Sequence, residues 1–230
     1  MLLHPSPVPG RPLLGRPARA VGVAALALAM VGSAGFAAGA GTFEPRPTSV
    51  VPNLPPPSAA PNPLIANGVA IGKNVALYKS SGLGPAGVNT AAAPGTPERY
   101  VDVAQFPGGV LTGGVTITEA QGMHVLSLIE QNLVGVGLGL DDVITMRVFL
   151  DNAPGATVAD YAGWNRAYRQ FFANTDRVTG APVPVPMGTS AAKRPLVVNG
   201  ARPSRSTLEV ASLPVQGWLV EVEVDAAYPK

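Results

Sequence analysis

The sequence predicts an α+β fold, with two helices packed on one face of a mixed β-sheet. Three observations lead there. Two segments carry apolar residues at helical three- and four-residue steps, and strand-like alternation surrounds them. Read in order, the elements run β-β-(β)-α-β-α-β-β.

Gly68 to Ser81 reads as a hairpin turning at Gly72-Lys73-Asn74 and closing on Ser81-Gly82. Tyr100–Val103 and Val110–Thr116 are short apolar runs, with Pro107-Gly108-Gly109 between them, and they qualify as short strands. Thr116 and Thr118 are N-cap candidates with Glu119 and Gln121 three residues on, the capping-box spacing. Gly122, Leu126, Ile129, Leu133 and Val136 make the helix's apolar face, and Gly135, Gly137 and Gly139 end it. His124 falls off that stripe and is expected to be exposed. In Val143–Asp151, Ile144, Met146, Val148 and Leu150 alternate with Thr145, Arg147 and Phe149, which predicts a half-buried strand.

A second helix is expected from about Thr157, with Tyr161, Trp164, Tyr168, Phe171 and Phe172 facing the core. Asn165 lies on that same face, so its amide needs a partner; burying it unsatisfied would cost roughly 1–3 kcal/mol. Leu196–Asn199 is a further short strand candidate, and Arg205–Val210 and Trp218–Val224 are the closing strands.

Residues 1–40 read as an export signal. Arg11, Arg16 and Arg19 precede the apolar run Val21–Val31, and small residues follow at Ala37–Ala40. The alternative is an uncleaved anchor. The expected location is therefore periplasmic or extracellular, with membrane contact only if the leader is retained. Residues 41–63 are proline-rich and predict an extended linker without a core. The folded domain is expected over 64–230, with insertions near 86–110 and 174–200.

Composition narrows the chemistry. The chain holds 16 Lys+Arg, 14 Asp+Glu, two His and no Cys. Residues 1–40 contribute three arginines and no acid, leaving 13 basic against 14 acidic side chains. The remaining basic residues form no stripe, so nucleic-acid binding has no support. Without Cys there is no thiolate chemistry or disulfide, and with only His124 beyond the leader no multi-histidine metal site is expected.

The closing elements resemble the RidA family, the YjgF-type enamine/imine deaminases. The residues carrying the resemblance are Gly139-Leu140-Asp141-Asp142-Val143, Phe149-Leu150-Asp151, Asn165 to Phe172, Pro203 to Val210 and Val220 to Glu223. The Arg-Ser-Thr-x-Glu-Val box followed by Val-Glu-Val-Glu is the specific part. The resemblance implies a chorismate-mutase-like fold and a homotrimer with active sites in the subunit clefts. It implies hydrolysis of 2-aminoacrylate-like enamines and imines to a 2-oxo acid and ammonia, without metal or organic cofactor.

By the same resemblance Arg205 grips the substrate carboxylate and Glu221 places the water. Asn165, Ser81 and Gly82 match substrate-binding positions. A planar guanidinium suits a carboxylate, and a partly desolvated Glu suits proton shuttling. Glu221 and Glu223 share one strand face, and only the family pattern prefers Glu221. Two positions depart from the family: Ile65 stands where a tyrosine is common, and Leu83 replaces a glutamine. Those departures keep a second reading open, an exported non-catalytic binder of carboxylate ligands. A third is a trimeric scaffold in which the box serves packing only.

Overall fold

The computed structural model describes residues 44–228, so the leader of residues 1–40 lies outside the described residues. Eight residues of alternating pattern form the central strand β4 (Val143–Leu150), with β6 (Val220–Ala227) antiparallel on one side and β5 (Ser204–Glu209) parallel on the other. β3 (Leu77–Lys79) pairs antiparallel with β6, giving the order β3-β6-β4-β5. This is the expected mixed sheet of an α+β fold. A bulge between Val143 and Thr145 explains why Val143 and Ile144 are both buried, in breach of strict alternation.

Helices α1 (Ile117–Val134) and α2 (Tyr161–Arg169) cover one face of the sheet. Met146, Val148, Val222 and Val224 meet Leu126, Ile129, Trp164 and Tyr168 there, all fully buried. Thr116 caps α1 by accepting from the Glu119 amide at 3.1 Å, as the spacing predicts. α2 begins three residues later than expected: Asp160, not Thr157, is its N-cap, accepting from Gly163 N at 2.7 Å. Thr116 also donates to Asp160, which joins the two helix starts.

The other face of the sheet is polar. Arg147 donates to Glu223 at 2.7 Å and forks onto Asp225 at 3.1 Å, while Lys79 reaches Asp225 at 3.5 Å. Burial works against the Asp225 carboxylate, but the bonds from Arg147 hold it below the ordinary range.

Four local expectations are corrected. Gly68–Ser81 is not a hairpin: β2 (Gly68–Ile71) pairs with β1 (Val50–Asn53), while β3 joins the main sheet. Tyr100–Val103 and Val110–Thr116 form no strands, because tight 3-10 turns at Pro97–Tyr100 and Pro107–Gly109 shape that insertion. Leu196–Asn199 has no strand partner. His124 is only 5% exposed, its Nδ1–H donating to the Tyr100 carbonyl at 3.1 Å.

The proline-rich segment is likewise no bare spacer. It supplies β1, which pairs with β2. Proline lacks a donor but keeps its carbonyl, and three arginines use such acceptors. Arg177 reaches Pro55 and Ala60, Arg169 reaches Asn62, and Arg202 reaches Pro63 at 2.9 Å. Arg202 also donates to Gly200 and Thr175 carbonyls and is 7% exposed. Arg202→Ala is expected to lower stability by about 2–3 kcal/mol, read as a fall in the urea midpoint with unchanged m-value.

Candidate functional site

Register decides which face each candidate takes. Arg205 pairs with the buried Met146 in β4, so its side chain lies on the helix side of β5. There its Nη2 donates to Asn165 Oδ1 at 2.7 Å, and its Cζ sits 4.4 Å above the centre of the Tyr168 ring. Asn165 and Tyr168 are three apart on α2, so one helix turn presents an amide acceptor and a π face together.

A second guanidinium nitrogen, Nη1, is buried and has no hydrogen-bond partner among the described residues. No salt bridge involves Arg205 among the described residues. Burial pulls its pKa below the ordinary arginine value. A cation supported only by an amide and an aromatic ring keeps its full demand for an anion. A cleft of about 290 Å³ runs along β5 where residues 65–67 meet it; Thr145, Ser204 and Ser206 in its lining belong to the sheet face opposite the Arg205 side chain, and neither Asn165 nor Tyr168 lines it. Ile65, the residue in place of a common tyrosine, is thus part of the wall. Tyr168, expected only as core, donates from its hydroxyl to the Leu64 carbonyl at 2.9 Å and so steadies that wall as well.

Glu221 lies elsewhere. It pairs with Phe149 and shares the polar face with Arg147 and Glu223. Glu223 is occupied by Arg147 at 2.7 Å, whereas among the described residues no hydrogen bond holds the Glu221 carboxylate. The ambiguity between the two acids resolves chemically: Glu221 is the one available for a water or a ligand. Burial, followed by the nearby Glu223 charge, raises the Glu221 pKa.

Ser81 and Gly82 form a bulge at the sheet edge. Ser80 N bonds Val224 O at 2.9 Å and Leu83 N bonds Val222 O at 3.0 Å, leaving two residues opposite Glu223 alone. A Cβ at Gly82 would overlap the Glu221 carboxylate, so glycine there is what lets the acid lie against the strand. Ser81 is exposed.

The structure therefore brings together Arg205 with Asn165, and Glu221 with Gly82. It does not bring these two groups to one place: they are on opposite faces of the sheet, with β4 between their strands. A single chain supplies two half-sites. Among the described residues no cluster of His, Asp or Glu would hold a metal ion, and no helix is long and apolar enough to cross a membrane.

Sequence reasoning missed the buried polar groups of α1. Glu119 is 0% exposed and its carboxylate takes Arg166 at 2.7 Å and the Gly188 amide at 2.8 Å. Gln121 bonds the Pro97 and Gly217 carbonyls and the Leu219 amide. Local spacing shows both only as capping-box partners, because the loops that bury them come much later in the chain.

Comparison with known proteins follows this geometry. The sequence pattern of the family described as Endoribonuclease L-PSP matches residues 103–228, more than half of the chain. No curated protein sequence matches. Similar solved structures include Rv2704 of Mycobacterium tuberculosis, a member of the YjgF/YER057c/UK114 family, at 20% identity over 78% of this chain and 100% of that one, TM-score 0.36. TdcF of E. coli with bound serine has 22% identity over 78% and 94%, TM-score 0.40. A putative endoribonuclease from Thermotoga maritima has 22% identity over 78% and 93%, TM-score 0.36.

Proposed function

The chain belongs to the Endoribonuclease L-PSP family, the YjgF or RidA group, and from that premise we propose that it hydrolyses reactive 2-imino and enamine acids to 2-oxo acids and ammonia. The observation carrying the proposal is the buried, unpartnered Nη1 of Arg205, in a guanidinium held by Asn165 and the Tyr168 ring with no carboxylate beside it. A guanidinium without an internal counter-ion is built to receive a carboxylate.

Glu221 takes the water's part. Its carboxylate accepts a proton from water as the oxygen adds to C2 and passes that proton to the imine nitrogen, giving the carbinolamine. The carbinolamine hydroxyl then yields its proton through the same carboxylate to the nitrogen, and ammonia leaves as the C–N bond breaks and C=O forms. Because the imine is already electrophilic, positioning supplies much of the acceleration. The separation of the half-sites supports a homotrimer whose clefts join Arg205 of one subunit to Glu221 of the next. We propose further, from the sequence pattern of residues 1–40 alone, that the protein works in the periplasm or outside the cell, with membrane contact only if that leader is retained.

RNA is a poorer fit as substrate. Arg147 and Arg166 face carboxylates, and Arg169, Arg177 and Arg202 face carbonyls, so they offer no phosphate track.

The test uses protein from residue 41 onward with a dehydratase-coupled enamine source. Faster release of 2-oxo acid and ammonia than the spontaneous rate is expected; equal rates would overturn the proposal. The pH profile adds a second reading. Activity needs the Glu221 carboxylate, so it rises with pH, and the raised pKa puts that limb above the ordinary glutamate value of about 4.3. Glu221→Gln should abolish the limb, and Glu223→Gln should move it to lower pH by removing a like charge.

The reading of a carboxylate-binding protein without turnover draws on one observation, that Glu221 and Arg205 do not meet within a chain. It predicts ligand binding with no rate enhancement.

A further inference from the structure

Gly82 and Gly84 lie on either side of Leu83, which pairs with Val222 in an extended segment. Their missing side chains therefore point the same way, about 7 Å apart. A Cβ at Gly82 would strike the Glu221 carboxylate, and one at Gly84 would strike the Trp218 ring. The indole and the carboxylate are thus neighbours on one side of the sheet.

That indole is held with unusual care. Tyr100 meets it edge-on, ring centres 6.4 Å apart and planes at 83°. Tyr100 comes from the insertion near 86–110, and its carbonyl is fastened by buried His124. Buried Gln121 clamps both approaches, bonding Pro97 O at 2.9 Å, Gly217 O at 2.8 Å and Leu219 N at 2.7 Å. Gly217 has φ +91°, and a Cβ there would meet the Tyr100 ring at 2.9 Å. The indole Nε1 is left buried and unpartnered. Two fully or nearly buried polar side chains of α1 thereby fix an aromatic corner next to the acid.

We infer that Trp218 and Tyr100 form a specificity subsite for the side chain of an aromatic 2-imino or enamine acid. The inference rests on the proposed role of Glu221: a substrate whose C2 faces the Glu221 water carries its ring one methylene away, toward the indole. Offset or edge contact with Trp218 then favours a planar side chain over an aliphatic one.

The experiment compares imino acids generated by an L-amino-acid oxidase from phenylalanine and from leucine, with semicarbazide trapping to read hydrolysis. Wild type should prefer the aromatic imine by about tenfold in kcat/KM. Trp218→Ala should erase that preference, and Trp218→Phe, which keeps a ring and guards against a folding defect, should restore most of it. Calorimetric binding of phenylpyruvate and pyruvate to the same three proteins gives a readout independent of turnover.

Hydrolysis of both imines without preference would overturn the subsite while the proposed function stands. Phenylpyruvate binding that Trp218→Ala weakens about tenfold, with no hydrolysis, would keep the subsite and overturn the hydrolase. An equal loss of both imines in Trp218→Ala and Trp218→Phe would also sink the inference, since it marks a structural role only.

Discussion

Arg205→Ala is expected to lower imine hydrolysis by about 10²–10³-fold and to abolish measurable 2-oxo acid binding. The guanidinium has a buried nitrogen without a partner and, among the described residues, no salt bridge, so no neighbouring charge stands in for it. Arg205→Lys should recover little, because an ammonium cannot use both the Asn165 bond and a bidentate carboxylate grip.

Asn165→Asp is the sharper companion. It puts a carboxylate 2.7 Å from Arg205 Nη2, the distance of the present amide bond. An internal counter-ion should raise the Tm while weakening carboxylate ligands by about 10–100-fold. Binding unaffected by Asn165→Asp, measured by calorimetry, would show that the free charge of Arg205 is not what the cleft uses.

The second large effect concerns stability. Glu119→Ala removes the acid that joins α1 to Arg166 of α2 and to Gly188 of the second insertion. Breaking a buried pair leaves one charge and one amide unsatisfied, at about 3–5 kcal/mol. For a domain of this size the Tm should fall by about 10 °C, seen by calorimetry. Glu119→Gln keeps an acceptor for Gly188 and should lose distinctly less. Equal losses for the two variants would show that the charge pair with Arg166 contributes nothing beyond the hydrogen bond's geometry.

Glu119 also illustrates how far local spacing reaches. Its place three residues after Thr116 predicts the cap, and the Thr116 hydroxyl does accept from the Glu119 amide. Its side chain goes elsewhere because Gly188, 69 residues later, covers it. His124 is buried for the same kind of reason: the Pro97–Tyr100 turn lies over a position that its helical stripe leaves outside. The proline-rich segment reads as a spacer because its sequence offers no apolar period. What docks it is a set of its backbone carbonyls, at Pro55, Ala60, Asn62 and Pro63, that accept hydrogen bonds from arginines far along the chain.

By itself the sequence determined the α+β order, the two helices, the central strand and the family box with Arg205, Asn165 and Glu221. These depend on periods of 3.6 and 2 and on short spacings, which are local properties of the chain. Only the tertiary structure decided that β2 pairs with β1, that Glu223 is taken by Arg147 while Glu221 is free, and that Arg205 and Glu221 face opposite sides of one sheet. Pairing partners, long-range hydrogen bonds and sheet faces join residues tens of positions apart. No periodicity encodes them, and the division of the site into two half-sites follows from strand register alone.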